Sequence, residues 1–273
     1  MTFARRRLRN GAIALLVLAA AGAAVWAQYL ALRDPAILTG WMLVAAFVVL
    51  ASYNVRKKFP FLPLLSSAGW MQTHVYLGIL AAAVFLMHVG VELPNGVFES
   101  VLWVLTVALL LTGFVGLAIT RLAPPALTHH GERVLFERIP VLRARLAEEV
   151  HDLALRSVET EASTTLADYY HTRLHSFFAR PRNLLAHLLA SERQRSKLCH
   201  ELRTLDRYLS EQGRETREAI EDRVLAKDNL DFQVTWQGLL KGWLFLHIPL
   251  TYATALVAVV HIGLVYAFQA ALQ

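Results

Sequence analysis

Five long apolar stretches, almost free of charged residues, restrict the fold of this chain more than any other feature. They cover roughly residues 11–32, 37–54, 69–91, 100–120 and 239–268. About 20 apolar residues in a helix match the thickness of a bilayer's hydrocarbon core. The hydrophobic share of 56% also exceeds that of ordinary soluble domains. The sequence therefore predicts an all-α, integral membrane helical bundle of five spans.

The segment between the fourth and fifth spans has a different composition. From Arg121 to Lys241 the chain contains 19 Lys or Arg residues against 18 Asp or Glu residues. Its apolar residues recur at helical spacing, which predicts three or four amphipathic helices packed on each other or on the membrane face. We expect Gly213 to end one of them. The repeated positions are Leu142, Leu146, Val150 and Leu153, and then Leu198, Leu202, Leu205 and Leu209.

We accordingly divide the chain into three parts. Residues 1–121 hold spans one to four, residues 122–238 form an amphipathic helical domain, and residues 239–273 hold the fifth span. Glu148-x-x-His151 and His171-x-x-x-His175 in the middle part have metal-ligand spacing on a helix. A solvated amphipathic helix face is the favoured explanation of both pairs.

The net charge of +6 resides in clusters that flank the apolar runs, which argues against a nucleic-acid partner. The clusters are Arg5, Arg6, Arg7 and Arg9 at the start and Arg56, Lys57 and Lys58 after the second run. Basic residues of this kind mark the cytoplasmic side. We therefore expect a multi-pass protein of the bacterial inner membrane, with its N-terminus and the 122–238 insertion in the cytoplasm and its C-terminus outside.

The first apolar run has a second interpretation. Basic residues, an apolar run and Val25-Trp26-Ala27 also occur in this order in cleaved signal peptides. The run is long enough to span a bilayer, which favours an uncleaved anchor. Either interpretation leaves the direction of the later spans unchanged.

Cysteine usage excludes several classes of cofactor site. Cys199 is the single cysteine, so the chain has neither a disulfide framework nor a Cys-only zinc or iron–sulfur site. There is no Cys-x-x-Cys-His sequence, which excludes covalent c-type haem attachment.

Four histidines lie inside the apolar runs, two in the third and two in the fifth. His74 and His88 are 14 residues apart, and so are His247 and His261. Fourteen residues make nearly four full helical turns, so each pair shares one helix face with about 21 Å between its members. Ionisable residues inside a membrane are candidates for function. Bonds between neighbouring helices are the other role that such histidines can have.

The direction of the spans determines which histidines share a level. If the third and fifth spans both run outward, His74 is level with His247 and His88 is level with His261. Haem iron takes two axial imidazoles, and a porphyrin fits between two helices. The pattern thus predicts two haem b groups, held by His74/His247 and by His88/His261. We expect the intervening Gly78, Ala81, Thr251 and Thr254 to line the haem sites.

This arrangement resembles the di-haem membrane cytochromes b, both that of the quinol–cytochrome c reductases and the transmembrane domain of the ferric reductases and NADPH oxidases. In the latter, the third and fifth spans supply the ligands. The resemblance covers those two spans. A sixth span, a nucleotide-binding Gly-x-Gly-x-x-Gly and the Pro-Glu-Trp-Tyr sequence of quinol-oxidising cytochromes b do not occur in this sequence.

We therefore expect an electron-transfer subunit of an oxidoreductase complex. Quinone, a c-type cytochrome and an iron–sulfur or flavin protein are the candidate redox partners, together with membrane lipid. Two alternatives stay open at this point. One is a quinol-active oxidoreductase in its own right, and the other is a non-enzymatic scaffold or sensor that signals through its cytoplasmic helices.

Overall fold

The computed structural model describes residues 3–58, 66–90, 93–129, 134–161, 164–181, 184–189 and 191–271. All regular elements within these ranges are helical, which confirms the predicted all-α class. The α-helices are α1 (Phe3–Leu30), α2 (Ala36–Lys58), α3 (Ser67–Val89), α4 (Val97–His129), α5 (Ile139–Glu161), α6 (Thr165–Tyr169), α7 (His175–Ala179), α8 (Leu184–Leu188), α9 (Arg193–Thr204) and α10 (Glu211–Ala271). Short 3-10 turns occur at Phe136–Arg138 and Leu205–Tyr208, and a π turn at Tyr170–Leu174 joins α6 to α7.

Five helices in the described part of the chain are long and apolar enough to cross a membrane, as the sequence predicts. They are α1, α2, α3, α4 and α10. The chain forms two compact units. The first unit contains the residues up to Leu117 and those from Phe245 onward, and the second unit contains Ala118–Leu244.

Local capping sets the ends of the helices in the first unit. The Asp34 carboxylate accepts the backbone N–H of Ala36 at 2.8 Å and so caps the start of α2. Ser66 caps α3 by accepting the Gly69 N–H at 3.2 Å. Gly90 ends α3 with a φ of 68°, a left-handed value that glycine adopts without strain. These caps place both ends of α3, which carries two of the intramembrane histidines.

The helices of the first unit pack around α3. Both α1 and α2 lie against it. Asn10 of α1 donates to the Gln72 side chain of α3 at 2.8 Å. The Trp41 indole of α2 donates to the Tyr266 hydroxyl of α10 at 2.9 Å. Polar bonds of this kind hold together helices that have little apolar driving force to associate in lipid.

The outward faces of these helices are apolar and exposed. In the apolar stretch of each of these five helices, only 6–11% of the residues are buried by the protein itself. Leu86, Leu111 and Leu256 are 67%, 60% and 70% exposed, respectively. A soluble protein rarely leaves apolar patches of this extent in water. The hydrocarbon core of a bilayer accommodates such faces without that cost.

The second unit has a core of its own. Helices α5, α6, α7, α9 and the first part of α10 contribute to it, so the amphipathic helices pack on each other. The fully buried members include Val150, Leu174, Leu202, Ile220 and Val224. Two of these, Val150 and Leu202, belong to the helical repeats read from the sequence.

One predicted helix end is wrong. Gly213 does not end a helix but lies in the first turn of α10. Its N–H donates to the Ser210 hydroxyl at 3.2 Å, so this stretch is capped as a helix start. From there α10 continues without interruption through the fifth apolar run to Ala271, with Pro249 inside it. The cap and the packing of the following residues outweigh the low helix propensity of one glycine.

Candidate functional site

The four histidines of the apolar runs all belong to the first unit, two on α3 and two on α10. His88 and His261 lie close enough for their charges to interact. His247 and His74 are in the same relation. We call His74/His247 the first pair and His88/His261 the second pair. Each pair takes one histidine from α3 and one from α10.

One histidine of each pair is hydrogen-bonded to a threonine on a neighbouring helix. His88 Nδ1 is 2.9 Å from Thr39 Oγ1 of α2, and Thr39 is fully buried. His247 Nδ1 is 2.9 Å from Thr112 Oγ1 of α4. The same ring nitrogen and the same distance thus occur in both pairs.

The threonine hydroxyls also lie near backbone carbonyls of their own helices. Thr39 Oγ1 is 2.9 Å from the Pro35 carbonyl and 3.1 Å from the Ala36 carbonyl. Thr112 Oγ1 is 2.9 Å from the Leu109 carbonyl. A hydroxyl has one hydrogen, so a threonine that donates it to a carbonyl accepts from the imidazole. In that arrangement the ring N–H is on Nδ1, and Nε2 keeps the lone pair that a metal ion requires.

The other histidine of each pair faces an aromatic ring. The ring centroids of His261 and Phe98 are 6.5 Å apart and the ring planes are within 17° of parallel. The centroids of His74 and Tyr53 are 5.4 Å apart. Each pair consequently has one imidazole fixed by a hydrogen bond and one placed beside an aromatic side chain.

The spacing of 14 residues recurs on the helices behind the histidines. Thr39 and Tyr53 are 14 residues apart on α2, opposite His88 and His74. On α4, Phe98 and Thr112 are also 14 residues apart, opposite His261 and His247. Four helices therefore present these histidine, threonine and aromatic side chains at the same two levels. Identical spacing on all four is the strongest sign that the two levels form related sites.

Glycines next to the threonines let the backbone approach the imidazoles closely. A Cβ added at Gly40 would lie 3.3 Å from Cε1 of His88, and one added at Gly113 would lie 3.9 Å from Cε1 of His247. Both glycines belong to a repeated sequence, Leu-Thr-Gly followed by an aromatic residue, at 38–41 and 111–114. Sequence reasoning missed the threonines and glycines, although this repeat could have revealed them.

The small residues predicted to line the site have different environments. Gly78 has open space where a side chain would project, whereas Ala81 is buried in the packing of α3. Thr251 donates to the His247 carbonyl at 2.9 Å, next to a ligand candidate. Thr254 is buried and donates to the Leu250 carbonyl at 2.8 Å within α10. Gly78 provides space and Thr251 touches a candidate ligand, while Ala81 and Thr254 contribute to packing.

Three described histidines of the second unit surround one tyrosine. His151, His171 and His175 are exposed around the buried ring of Tyr170, with ring centroids 5.4–6.0 Å from it. Among the residues that the structure describes, no group of three or more His, Cys, Asp or Glu side chains is arranged to hold a metal ion.

Sequence reasoning also missed a buried charge cluster in the second unit. Lys227 is fully buried and forms an ion pair with Asp231, which lies 3.3 Å from Arg143. The Lys227 ammonium is 3.9 Å from the centroid of the Phe177 ring. Burial lowers the pKa of Lys227, and the Asp231 carboxylate opposes that shift. Burial also raises the pKa of Asp228, whose carboxylate lies 3.5 Å from Nε2 of His187.

Comparison of the chain with protein-family models, with curated proteins and with solved structures found no match.

Proposed function

We propose that this chain is a b-type cytochrome subunit that binds two haems and carries electrons across a membrane. The observation that carries the proposal is the joint geometry of the two histidine pairs. Each pair takes one histidine from α3 and one from α10, and each contains an imidazole whose Nδ1 is hydrogen-bonded to a threonine. A haem iron takes four ligands from its porphyrin and needs two more from the protein, which is the number of histidines in each pair.

The residues at these levels fit that group chemically. His88 and His247 offer Nε2 as the unprotonated nitrogen, while Thr39 and Thr112 hold the rings in one orientation. Gly40 and Gly113 let the supporting helices approach these rings, and the apolar spans exclude water. Bound haem would supply one-electron redox chemistry, and the protein's contribution is ligation, orientation and burial.

A membrane location supports this role. The five apolar helices could span a bilayer, and the basic clusters favour an N-terminus and a second unit on the cytoplasmic side of a bacterial inner membrane. The first pair would then lie toward the cytoplasm and the second pair toward the outside. A quinone, a c-type cytochrome or an iron–sulfur or flavin subunit would supply or remove the electrons.

Haem content and ligand pairing test the proposal. The full chain, produced with excess haem, should show b-type absorption in a reduced-minus-oxidised spectrum and about two haems per chain. The double variant His88→Ala/His261→Ala removes one pair and should retain one haem. The double variant His88→Ala/His247→Ala removes one ligand from each pair and should weaken both sites.

His171→Ala provides a matched control, because it removes an exposed histidine of the second unit. Haem content should not change in this variant. A chain that folds but shows no b-type absorption would refute the proposal and favour a scaffold or sensor. Quinol-dependent reduction of the purified chain without partners would identify it as an oxidoreductase in its own right.

A further inference from the structure

Several leucines of the second unit are exposed although they lie beside a packed core. On α8 and just after it, Leu184, Leu185 and Leu189 are 45%, 77% and 81% exposed. Leu135 is 67% exposed. Single exposed leucines are common, but four on short, separate segments call for a common explanation.

The face of α8 opposite its exposed leucines packs against residues of α4 and α10. Leu188 packs on a cluster formed by Ala123, Phe232 and Trp236, together with Leu240. Ala123 is the last residue of the apolar part of α4. Leu240 lies at the start of the apolar run in α10. The helix α8 is therefore held at the level where both long helices change from apolar to polar sequence.

Leu135 lies beside the same part of α10, through its neighbour Phe136. The ring of its neighbour Phe136 lies 3.9 Å from the position of a Cβ added at Gly238. The Lys241 ammonium lies 4.1 Å from the centroid of that ring. Leu135 is thus anchored to the stretch of α10 that also carries the packing partners of α8. We call Leu135, Leu184, Leu185 and Leu189 the leucine collar.

The sequence that leads into α8 has a basic character. From residue 169 to residue 191 it has three arginines, Arg173, Arg180 and Arg182, and no Asp or Glu. Within the described structure, Arg173 is paired with Glu201, and His187 of α8 lies 3.5 Å from Asp228, whereas Arg180 is exposed just before α8. Apolar side chains flanked by basic residues are typical of segments that lie in the headgroup region of a membrane.

We propose that the leucine collar rests in the interfacial layer of the bilayer and that the exposed Arg180 just before α8 binds anionic lipid headgroups. The collar would fix the depth at which α4 and α10 leave the membrane. The inference depends on membrane insertion of the spans and is independent of haem binding.

Depth-dependent fluorescence quenching tests the proposal on the full chain in vesicles. Leu185→Cys and Leu189→Cys would each be labelled with an environment-sensitive fluorophore, with nitroxide lipids as quenchers. The native chain serves as the labelling blank, because Cys199 is buried and burial raises the pKa of its thiol, which slows its reaction. We expect both labels to lie about 5–10 Å inside the headgroup boundary.

Tyr208→Cys is the matched control, since Tyr208 is 63% exposed beside Arg207. It precedes α10, whose first residue is 25 residues, or about 38 Å along the helix, from Trp236. Its label should not be quenched by lipid. Vesicles with phosphatidylglycerol should quench the collar labels more strongly than vesicles of phosphatidylcholine alone.

Equal quenching at positions 185, 189 and 208 would overturn the proposal. Shielding that grows with protein concentration would identify a second copy of the chain as the occupant, and shielding only after addition of a redox partner would identify that protein instead.

Discussion

The bond between Thr39 and His88 allows the most direct test of the second histidine pair. Thr39→Val keeps the branched shape of the side chain and removes the hydroxyl. Thr39 is fully buried, so water cannot replace the lost acceptor at low cost. His88 Nδ1, which is 2.9 Å from the threonine oxygen, would lose this hydrogen bond and keep only its backbone interaction at Ala36.

The size of the effect follows from the cost of an unmade bond. A buried donor that loses its acceptor costs about 1–3 kcal/mol, or roughly 5- to 150-fold in an equilibrium constant. Groups that orient a metal-ligating histidine commonly affect affinity by about 10–100-fold, which lies within that range. We therefore expect Thr39→Val to weaken one haem by about tenfold or more and to leave the other unchanged.

Transfer of haem to an excess of apomyoglobin measures this effect at the Soret band. The native chain should lose its two haems slowly, and Thr39→Val should show one fast and one slow phase. Thr39→Ser retains the hydroxyl and should restore slow loss. Thr106→Val is a matched control, because Thr106 donates to the Leu102 carbonyl of its own helix at 2.8 Å. Equal transfer rates for Thr39→Val and Thr106→Val would refute the argument.

Two further comparisons use pairs of matched variants. Gly40→Ala places a Cβ 3.3 Å from the ring of His88, and it should lower the free energy of unfolding by about 1–3 kcal/mol and cause the loss of one haem. Gly113→Ala makes an ordinary contact at 3.9 Å with the ring of His247 and should retain both haems. Haem content and thermal unfolding distinguish the two outcomes. In the second unit, Asp231→Ala leaves the Lys227 ammonium buried without its carboxylate and should cost about 3–5 kcal/mol. Lys227→Met should cost less, because Asp231 retains a neighbouring arginine, and calorimetry that ranks the two in the reverse order would contradict this reasoning.

The sequence predicted the helical class and the five apolar helices because hydrophobic length is a direct consequence of bilayer thickness. It also singled out four histidines on two helices, and their spacing alone indicated two levels. The combination of His74 with His247 and of His88 with His261 followed from charge placement. Their role as haem ligands stays a prediction, which the double variants test.

The supporting residues could not be found in this way, because they depend on which helices are neighbours. Thr39 and Thr112 look like ordinary small polar residues of apolar spans until α2 is placed beside α3 and α4 beside α10. The error at Gly213 has a similar origin. A local propensity of about 1 kcal/mol against glycine was outweighed by the Ser210 cap and by tertiary packing.

The two threonines are placed diagonally, since they support histidines of different pairs and on different helices. Thr39 supports the α3 histidine of one pair, while Thr112 supports the α10 histidine of the other. If both threonines supported one pair, that pair would have two rings of fixed tautomer and the other pair none. Here each pair has one such ring. Thr39→Val and Thr112→Val should therefore weaken different haems, and the effect of Thr39→Val should be the larger because Thr39 is fully buried and Thr112 only partly. The double variant should weaken both, with additive free energies because the two bonds share no partner.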